Sequence, residues 1–405
     1  MHKKQVDGSI CAPLGFKATG VAADINGKEN SKKDLALIWS EVPAVAAGVF
    51  TQNIVKAAPI QVTLDVLKKN PILQAVVVNS RNANACTGEQ GIKDAKRMCL
   101  LTAHALDIPE EWVAVSSTGV IGLPLPMSRI EKGIQAAVQT LSHDGDSDAA
   151  IAIMTTDTFS KQFAIQIDIG GTLVTLGGIS KGSGMVHPNM ATILGFITTD
   201  AKISPEALQA ALKQGNEKSF NMITVDGDTS TNDMLLILAN GLAQNAEIHI
   251  DTPEFELFAH ALEYVLVFLA KEVARDGEGA TKLLEVQIQS AASEEEAKIA
   301  ARAVCKSLLV KAAIFGCDAN WGRILCALGY SGAHFDPSKV NLFIGQVQVM
   351  EKGSPLIFDE ETALKVLSEN EVVIRADLNA GNAQATSWGC DLSYDYVKIN
   401  GAYRT

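Results

Sequence analysis

Hydrophobic residues along this chain fall into short runs that predict strands, separated by glycine or polar turns. Residues 163–169 and 172–176 are two such runs, and the Gly170-Gly171 pair between them is typical of a β-hairpin turn. The remaining runs lie at 35–39, 45–50, 73–79, 113–117, 192–197, 284–290, 340–349, 371–378 and 394–399. Strands are therefore predicted over the whole length of the chain.

Amphipathic stretches between these runs predict helices. Ser204 is suited to the N-cap of a helix at 204–214, with Pro205 at its first position. Further helices are predicted at 92–105, 128–141, 252–274 and 293–315. Because strands and helices mix without strict β-α-β alternation, the sequence predicts an α+β fold in which helices cover antiparallel or mixed sheets.

The composition is that of a soluble globular protein and argues against several functions. Of the 405 residues, 47% are hydrophobic and 20% are charged. The formal net charge of −12 argues against a nucleic-acid partner, because phosphate binding requires clustered Lys and Arg. No apolar stretch is long enough for a membrane span or a signal-peptide core. Seven scattered cysteines without a C-x-x-C pair indicate a reduced, cytoplasmic protein.

Two segments resemble cofactor motifs only superficially. The acidic cluster that starts at Asp226 has Ile237 at its twelfth position, where an EF-hand has Glu. The Gly182-x-Gly184 pattern has His187 in place of the third glycine of a dinucleotide loop. No G-x-S-x-G elbow accompanies His187, which we expect to be a loop histidine. We expect no metal and no cofactor, and the 226–233 cluster forms either loop structure or a ligand-positioning segment.

The glycine-rich loop 181–192, which runs directly into a predicted strand, carries the strongest candidate chemistry. If the Ala191–Thr192 bond were cut, Thr192 would have both a hydroxyl and a free α-amine. Such an amine has a pKa of roughly 7.7–8.0 and accepts the proton of its own hydroxyl near neutral pH. The alternative is that Thr192 simply begins the strand, as β-branched residues often do.

Other polar segments allow a binding function or an ordinary turn. In the segment 116–122, a hydroxyl beside the Gly119 amide would place two donors on one oxygen, as an oxyanion hole requires. Gly277 and Gly279 flank Glu278. Its carboxylate either binds an amine-bearing substrate or is solvated in a loop that ends a helix. The polar segments 79–88 and 155–158 are consistent with ligand contact or with turns.

Many ordered segments of this chain, almost from end to end, resemble the ornithine acetyltransferase (glutamate N-acetyltransferase) family of arginine biosynthesis. The matching segments are 15–23, 42–51, 79–88, 117–122, 181–192, 225–233, 277–282 and the terminal predicted strand. The resemblance implies a layered αββα sandwich, of the type shared with self-processing aminopeptidases.

The resemblance further implies a precursor that cuts itself between Ala191 and Thr192. It implies an alpha chain 1–191 and a beta chain 192–405, assembled as a heterotetramer of two alpha and two beta chains. Thr192 would take an acetyl group from N2-acetylornithine and pass it to glutamate in a ping-pong reaction. Some family members also use acetyl-CoA as a donor. The substrates would therefore be small amino acids.

Functional residues follow from the resemblance position by position. Thr118 and Gly119 would form the oxyanion hole. The substrate-binding residues would be Thr155, Lys181, Thr192, Glu278, Asn400 and Thr405. Lys181 suits an α-carboxylate, and the terminal carboxylate of Thr405 suits an ammonium group.

One position departs from the family, and two other functions remain open. Arg81 stands where the family usually has Gly, and an arginine adopts a positive φ only at a cost. The departure predicts either a locally different loop or a perturbed site. The alternatives are an amidase or aminopeptidase on the same self-cleaving scaffold, in which water accepts the acyl group, and a non-catalytic amino-acid-binding protein that never cleaves itself.

Overall fold

The computed structural model describes residues 3–28, 32–187 and 193–402. Its strands, in chain order, are β1 (Lys4–Gln5), β2 (Phe16–Val21), β3 (Leu35–Phe50), β4 (Ile72–Asn79), β5 (Val113–Ser117), β6 (Lys161–Ile169), β7 (Thr172–Lys181), β8 (Leu194–Thr199), β9 (Ile223–Thr224), β10 (Met234–Ala239), β11 (Leu283–Ala291), β12 (Asn341–Ile344), β13 (Val347–Glu351), β14 (Ser354–Pro355), β15 (Glu371–Asp377) and β16 (Ala383–Cys390). Its α-helices are α1 (Ala58–Lys69), α2 (Gly88–Leu106), α3 (Met127–Gln139), α4 (Asp146–Ala152), α5 (Pro205–Lys218), α6 (Pro253–Arg275), α7 (Glu294–Lys306), α8 (Leu308–Phe315), α9 (Trp321–Gly329), α10 (Glu360–Leu367) and α11 (Tyr394–Ala402).

The described strands form two mixed sheets. The larger has nine strands in the order β1-β6-β7-β8-β10-β3-β4-β5, with β2 also paired to β3. The smaller has seven strands in the order β14-β13-β12-β15-β11-β16-β9. The pairs β4–β5, β8–β10, β11–β15 and β9–β16 are parallel, whereas the other pairs are antiparallel. The sequence predicted antiparallel or mixed sheets, and both described sheets are mixed.

Helices pack on both faces of the larger sheet and join it to the smaller one. One apolar core contains Leu235 of β10, Leu266 of α6 and Val286 of β11, so α6 lies against both sheets. Helices α2 and α3 pack with Leu37 against one face of β3, and α4 packs with Ile38 against the other face. Burial of these apolar faces is the main force that stabilises the layers. The predicted layered α+β class is confirmed.

Three predicted elements differ from the structure. The runs 35–39 and 45–50 belong to the single strand β3, whose pairing with β4 shifts register around Pro43, a residue without an N–H to donate. The predicted helix 293–315 breaks at Ser307, where the backbone is extended and the hydroxyl accepts from Val310 N (3.4 Å). The run 340–349 is a hairpin, turned by Gly345 at φ +55°.

The predicted strand 394–399 is also wrong, because these residues form helix α11. Their aromatic and β-branched residues favour a strand, but β16 ends at Cys390 and the chain then leaves the sheet. In the helix, Tyr396 and Asn400 stand four residues apart on one face, and both line a cavity. Among the described helices, none is long and apolar enough to cross a membrane.

Candidate active site

A cavity of about 240 Å³ opens where several strands and loops end. Six of the residues predicted from the sequence line it: Thr118, Gly119, Thr155, Lys181, Glu278 and Asn400. They come from separate parts of the chain, so folding brings them together. Ala191, Thr192 and Thr405 lie outside the described residues, and the roles predicted for them stay predictions.

Thr118 and Gly119 follow strand β5 directly. The Thr118 N–H donates to Asn79 O (2.9 Å), so the backbone N–H is already used. The Thr118 hydroxyl oxygen accepts from Lys181 Nζ (3.2 Å), which leaves the hydroxyl proton available for a ligand. Gly119 has φ +130°, and a Cβ there would lie 2.5 Å from Asn82 N. Only glycine therefore lets the two loops approach so closely.

Lys181 ends strand β7 and brings a positive charge to the cavity. Burial lowers the pKa of Lys181, while the negative charges of Asp157, Asp233 and Glu278 oppose this shift. The nearby ammonium of Lys161 lowers the pKa of Lys181 further. A substrate carboxylate would add a further negative charge and favour the protonated lysine.

Glu278 lines the same cavity from the loop between α6 and β11. It is buried, with 7% of its surface exposed, and its backbone N–H donates to Ser183 O (2.9 Å). Its Oε2 accepts from Asn400 Nδ2 (2.7 Å). A Cβ at Gly184 would lie 2.5 Å from Glu278 Oε1, so the glycine-rich loop leaves room for this carboxylate.

Sequence reasoning missed Tyr396 and left the role of the 226–233 segment open. Asp226, Asp228, Ser230 and Asn232 line the cavity, which supports the ligand-positioning alternative for this segment. Asp226 also accepts from Met185 N (2.6 Å) and Val186 N (3.0 Å). The i, i+4 spacing of Tyr396 and Asn400 would have identified Tyr396 if the terminal segment had been predicted as a helix.

Asp226 and Tyr396 both have perturbed acidities. Burial raises the pKa of Asp226, despite its hydrogen bonds from backbone N–H groups. Burial also raises the pKa of Tyr396 to about 12, assisted by the negative charges of Asp226 and Glu278. Tyr396 is therefore a neutral hydrogen-bonding group near pH 7.

His187 contacts neighbouring side chains and is not among the described residues that line the cavity. Its Nδ1 lies 3.1 Å from Thr224 Oγ1, and its Nε2 lies 3.4 Å from an Arg302 nitrogen. Burial, followed by the charges of Arg302 and Lys306, lowers the pKa of His187 to about 4. The imidazole is thus neutral near pH 7, as suits a structural loop histidine.

Arg81 adopts the positive φ that glycine would favour. Its φ is +76°, and its Nη1 donates to Thr155 O (3.3 Å). A strained φ of this kind costs about 1–3 kcal/mol, which the new hydrogen bond offsets in part. The loop therefore keeps a left-handed residue at this position, and the arginine adds a contact to one of the cavity-lining segments.

The described residues contain no group of three or more His, Cys, Asp or Glu side chains placed to hold a metal ion. The polar groups in the cavity are instead hydroxyls, amides, carboxylates and one ammonium. Such groups form hydrogen bonds and ion pairs with polar ligands.

Comparison with known proteins gives consistent matches. The model of the ArgJ family matches residues 17–405. The arginine biosynthesis bifunctional protein ArgJ of Symbiobacterium thermophilum is 60% identical over 398 residues, 98% of this chain and 99% of that protein. The protein of the same name from Caldanaerobacter subterraneus is 54% identical over 404 residues, 99% of each. A solved chain of Bacillus halodurans ArgJ is 47% identical, with a TM-score of 0.50, and covers 51% of this chain and 98% of its own length.

Proposed function

The chain belongs to the ArgJ family, whose members are acyltransferases, and we propose that it transfers an acetyl group from N2-acetylornithine to L-glutamate. The products are ornithine and N-acetylglutamate. The observation that carries this proposal is the meeting of Lys181, Glu278 and the Thr118–Gly119 pair around one cavity of amino-acid size. An ammonium and a carboxylate at one cavity are complementary to a substrate that carries both charges.

The proposed nucleophile is Thr192, released as a chain end by self-cleavage at Ala191–Thr192. The cut would give an alpha chain 1–191 and a beta chain 192–405. Both flanks of the junction are fixed: Asp226 holds Met185 and Val186, and Ile193 O accepts from Met234 N (2.8 Å). The matched Bacillus halodurans chain, about half the length of this one, has the size of such a product.

The reaction would follow a ping-pong course. The Thr192 amine accepts the hydroxyl proton while Oγ1 attacks the acetyl carbonyl of N2-acetylornithine. The Thr118 hydroxyl and Gly119 N–H stabilise the oxyanion. The C–N bond then breaks, and the α-nitrogen of ornithine takes the proton from the Thr192 ammonium. The amine of glutamate attacks the acetyl ester, gives its proton to the Thr192 amine and expels Oγ1, which recovers that proton.

Each substrate charge has a proposed partner. Lys181 binds the α-carboxylate, and Glu278, held by Asn400, steers the amine. Thr155, which lines the cavity, contributes its hydroxyl. The terminal carboxylate of Thr405 would pair with a substrate ammonium.

Four further features belong to the same proposal. The processed chains assemble as a heterotetramer of two alpha and two beta chains. The enzyme works in the cytoplasm, without a cofactor or metal, and acetyl-CoA serves as a second acetyl donor for making N-acetylglutamate.

Two measurements test the proposal. The intact mass of the denatured protein should show two chains, one beginning at Thr192, whereas a Thr192→Ala variant should remain whole. An assay of ornithine release with and without glutamate then separates transfer from hydrolysis. Glutamate-independent release would favour an amidase or aminopeptidase, and an uncut chain that binds acetylornithine without turnover would favour a binding protein.

A further inference from the structure

A buried cluster of three charged side chains lies behind the cavity wall. Lys161 donates to Asp157 Oδ1 (2.5 Å) and also to Asp276. The side chains of Lys161 and Asp157 are fully buried, and that of Asp276 is 2% exposed. Two carboxylates and one ammonium leave one negative charge uncompensated within the cluster. Burial of such a charge is costly unless another cation lies close.

Asp157 connects this cluster to two segments of the cavity wall. Its Oδ2 accepts from Thr155 N (2.9 Å), and its Oδ1 accepts from Gly182 N (2.8 Å). Thr155 lines the cavity, and Gly182 directly follows Lys181. One carboxylate thus fixes the distance between the two segments. Hydrogen bonds to a buried, charged acceptor are among the stronger ones in proteins.

The compensating cation is Lys181. Burial raises the pKa of Asp157, but Lys161 and Lys181 outweigh this effect and bring the pKa to about 2. Asp157 is therefore ionised at every pH at which the protein would work. Of the charged groups facing Lys181, Asp157, Asp233 and Glu278 favour its protonated form and Lys161 opposes it. Asp226, Asp228 and Tyr396 are the other titratable groups on the described cavity wall.

We propose that Asp157 is a positioning residue for the acyl transfer, because its hydrogen bonds from Thr155 N and Gly182 N set the spacing between Thr155 and Lys181. The inference rests on the proposed function, in which Lys181 binds the substrate carboxylate. Asp157 itself lies behind the wall and acts through these two residues.

Two variants test this role, and we expect them to shift the alkaline limb of the kcat/KM profile in opposite directions. Asp157→Asn leaves the Lys161–Asp276 pair intact but removes the negative charge that Lys181 compensates. We expect the KM for N2-acetylornithine to rise roughly tenfold or more, with a smaller change in kcat. The alkaline limb of kcat/KM should move down by roughly one pH unit, because Lys181 loses a nearby negative charge. Lys161→Gln removes the opposing cation, and the same limb should move up.

Asp200→Asn is the matched control. Asp200 is a buried carboxylate that also accepts from two backbone N–H groups, those of Thr175 (2.8 Å) and Leu14 (3.1 Å). This variant should keep the wild-type KM and alkaline limb even if it lowers thermal stability.

An unchanged KM and limb in Asp157→Asn, or shifts of the same sign in both test variants, would overturn the inference. If Asp157→Asn does not fold, Lys161→Gln decides alone. An alkaline limb of kcat/KM that is unchanged or moves to lower pH in that variant would then overturn the inference. A wild-type enzyme that transfers no acetyl group would instead refute the proposed function and, with it, this inference.

Discussion

Replacing Gly119 with alanine tests the proposed oxyanion hole directly. The new Cβ would lie 2.5 Å from Asn82 N and 2.7 Å from Arg81 Cα, both backbone atoms that cannot rotate away. Gly119 also has φ +130°, a conformation that L side chains rarely adopt. The loop must therefore shift, and the Gly119 N–H moves away from its present position beside Thr118.

The expected losses of stability and of kcat in Gly119→Ala follow from the backbone strain and from the displaced N–H. The strained φ costs about 1–3 kcal/mol of stability, and the contact with backbone adds to it. Loss of one oxyanion-hole donor lowers kcat by about 10²–10³, because the donor acts mainly on the charge that develops in the transition state. We expect a kcat at least about 100-fold lower, with a KM close to that of the wild type.

Gly122→Ala is the control for this prediction. Gly122 is in the same loop and has φ +83°, but a Cβ at this position would have no other atom within 4 Å. Steady-state acetyl transfer and thermal unfolding should be measured for both variants, on protein whose cleavage has been checked by intact mass. A folded, cleaved Gly119→Ala enzyme with near-normal kcat would refute the reasoning, as would an equal loss in Gly122→Ala.

Three further predictions follow from the site. Gly184→Ala would place a Cβ 2.5 Å from Glu278 Oε1, so KM for acetylornithine should rise more than kcat falls in steady-state assays; unchanged kinetics would contradict this packing. His187→Gln should flatten the pH dependence of thermal stability between pH 4 and 6.5. The lowered pKa means that the unfolded chain binds this proton first, so wild-type stability falls as the pH drops through that window; an equally steep fall in the variant would argue against it. Asp226→Ala removes the acceptor for two N–H groups before the junction and should slow self-cleavage in an intact-mass time course, whereas wild-type rates would exclude that role.

Much of the fold was predictable because local patterns agree with tertiary packing. Strand β5 matches its predicted bounds, and the Gly170-Gly171 turn joins β6 and β7 as expected. Ser204 caps α5 by accepting from Ala207 N. The C-terminal segment was not predictable in this way, since a strand needs an available sheet edge and the pattern alone does not show that β16 ends before it.

The residues that line the candidate site were predictable, but the buried residue that holds two of them in position was not. Resemblance identified Lys181 and Glu278, and the structure places both at one cavity. Asp157 lies in the segment 155–158 that the sequence pointed to, but its role was not identified, because that role depends on buried contacts with Thr155 and Gly182. Contacts between residues distant in the chain leave no periodic signal in a single sequence.

Helix α11 gives the cavity a wall of low local stability. None of its described residues is buried, and Tyr394 and Val397 are 85% and 69% exposed, yet Tyr396 and Asn400 line the cavity. An element with so little buried surface opens far more often than the core of the sheet. Its amide hydrogens should therefore exchange quickly in the free enzyme and slowly once an amino acid bridges Glu278 and Asn400. The last helix of the chain would then report, by its exchange rate, whether the site is occupied.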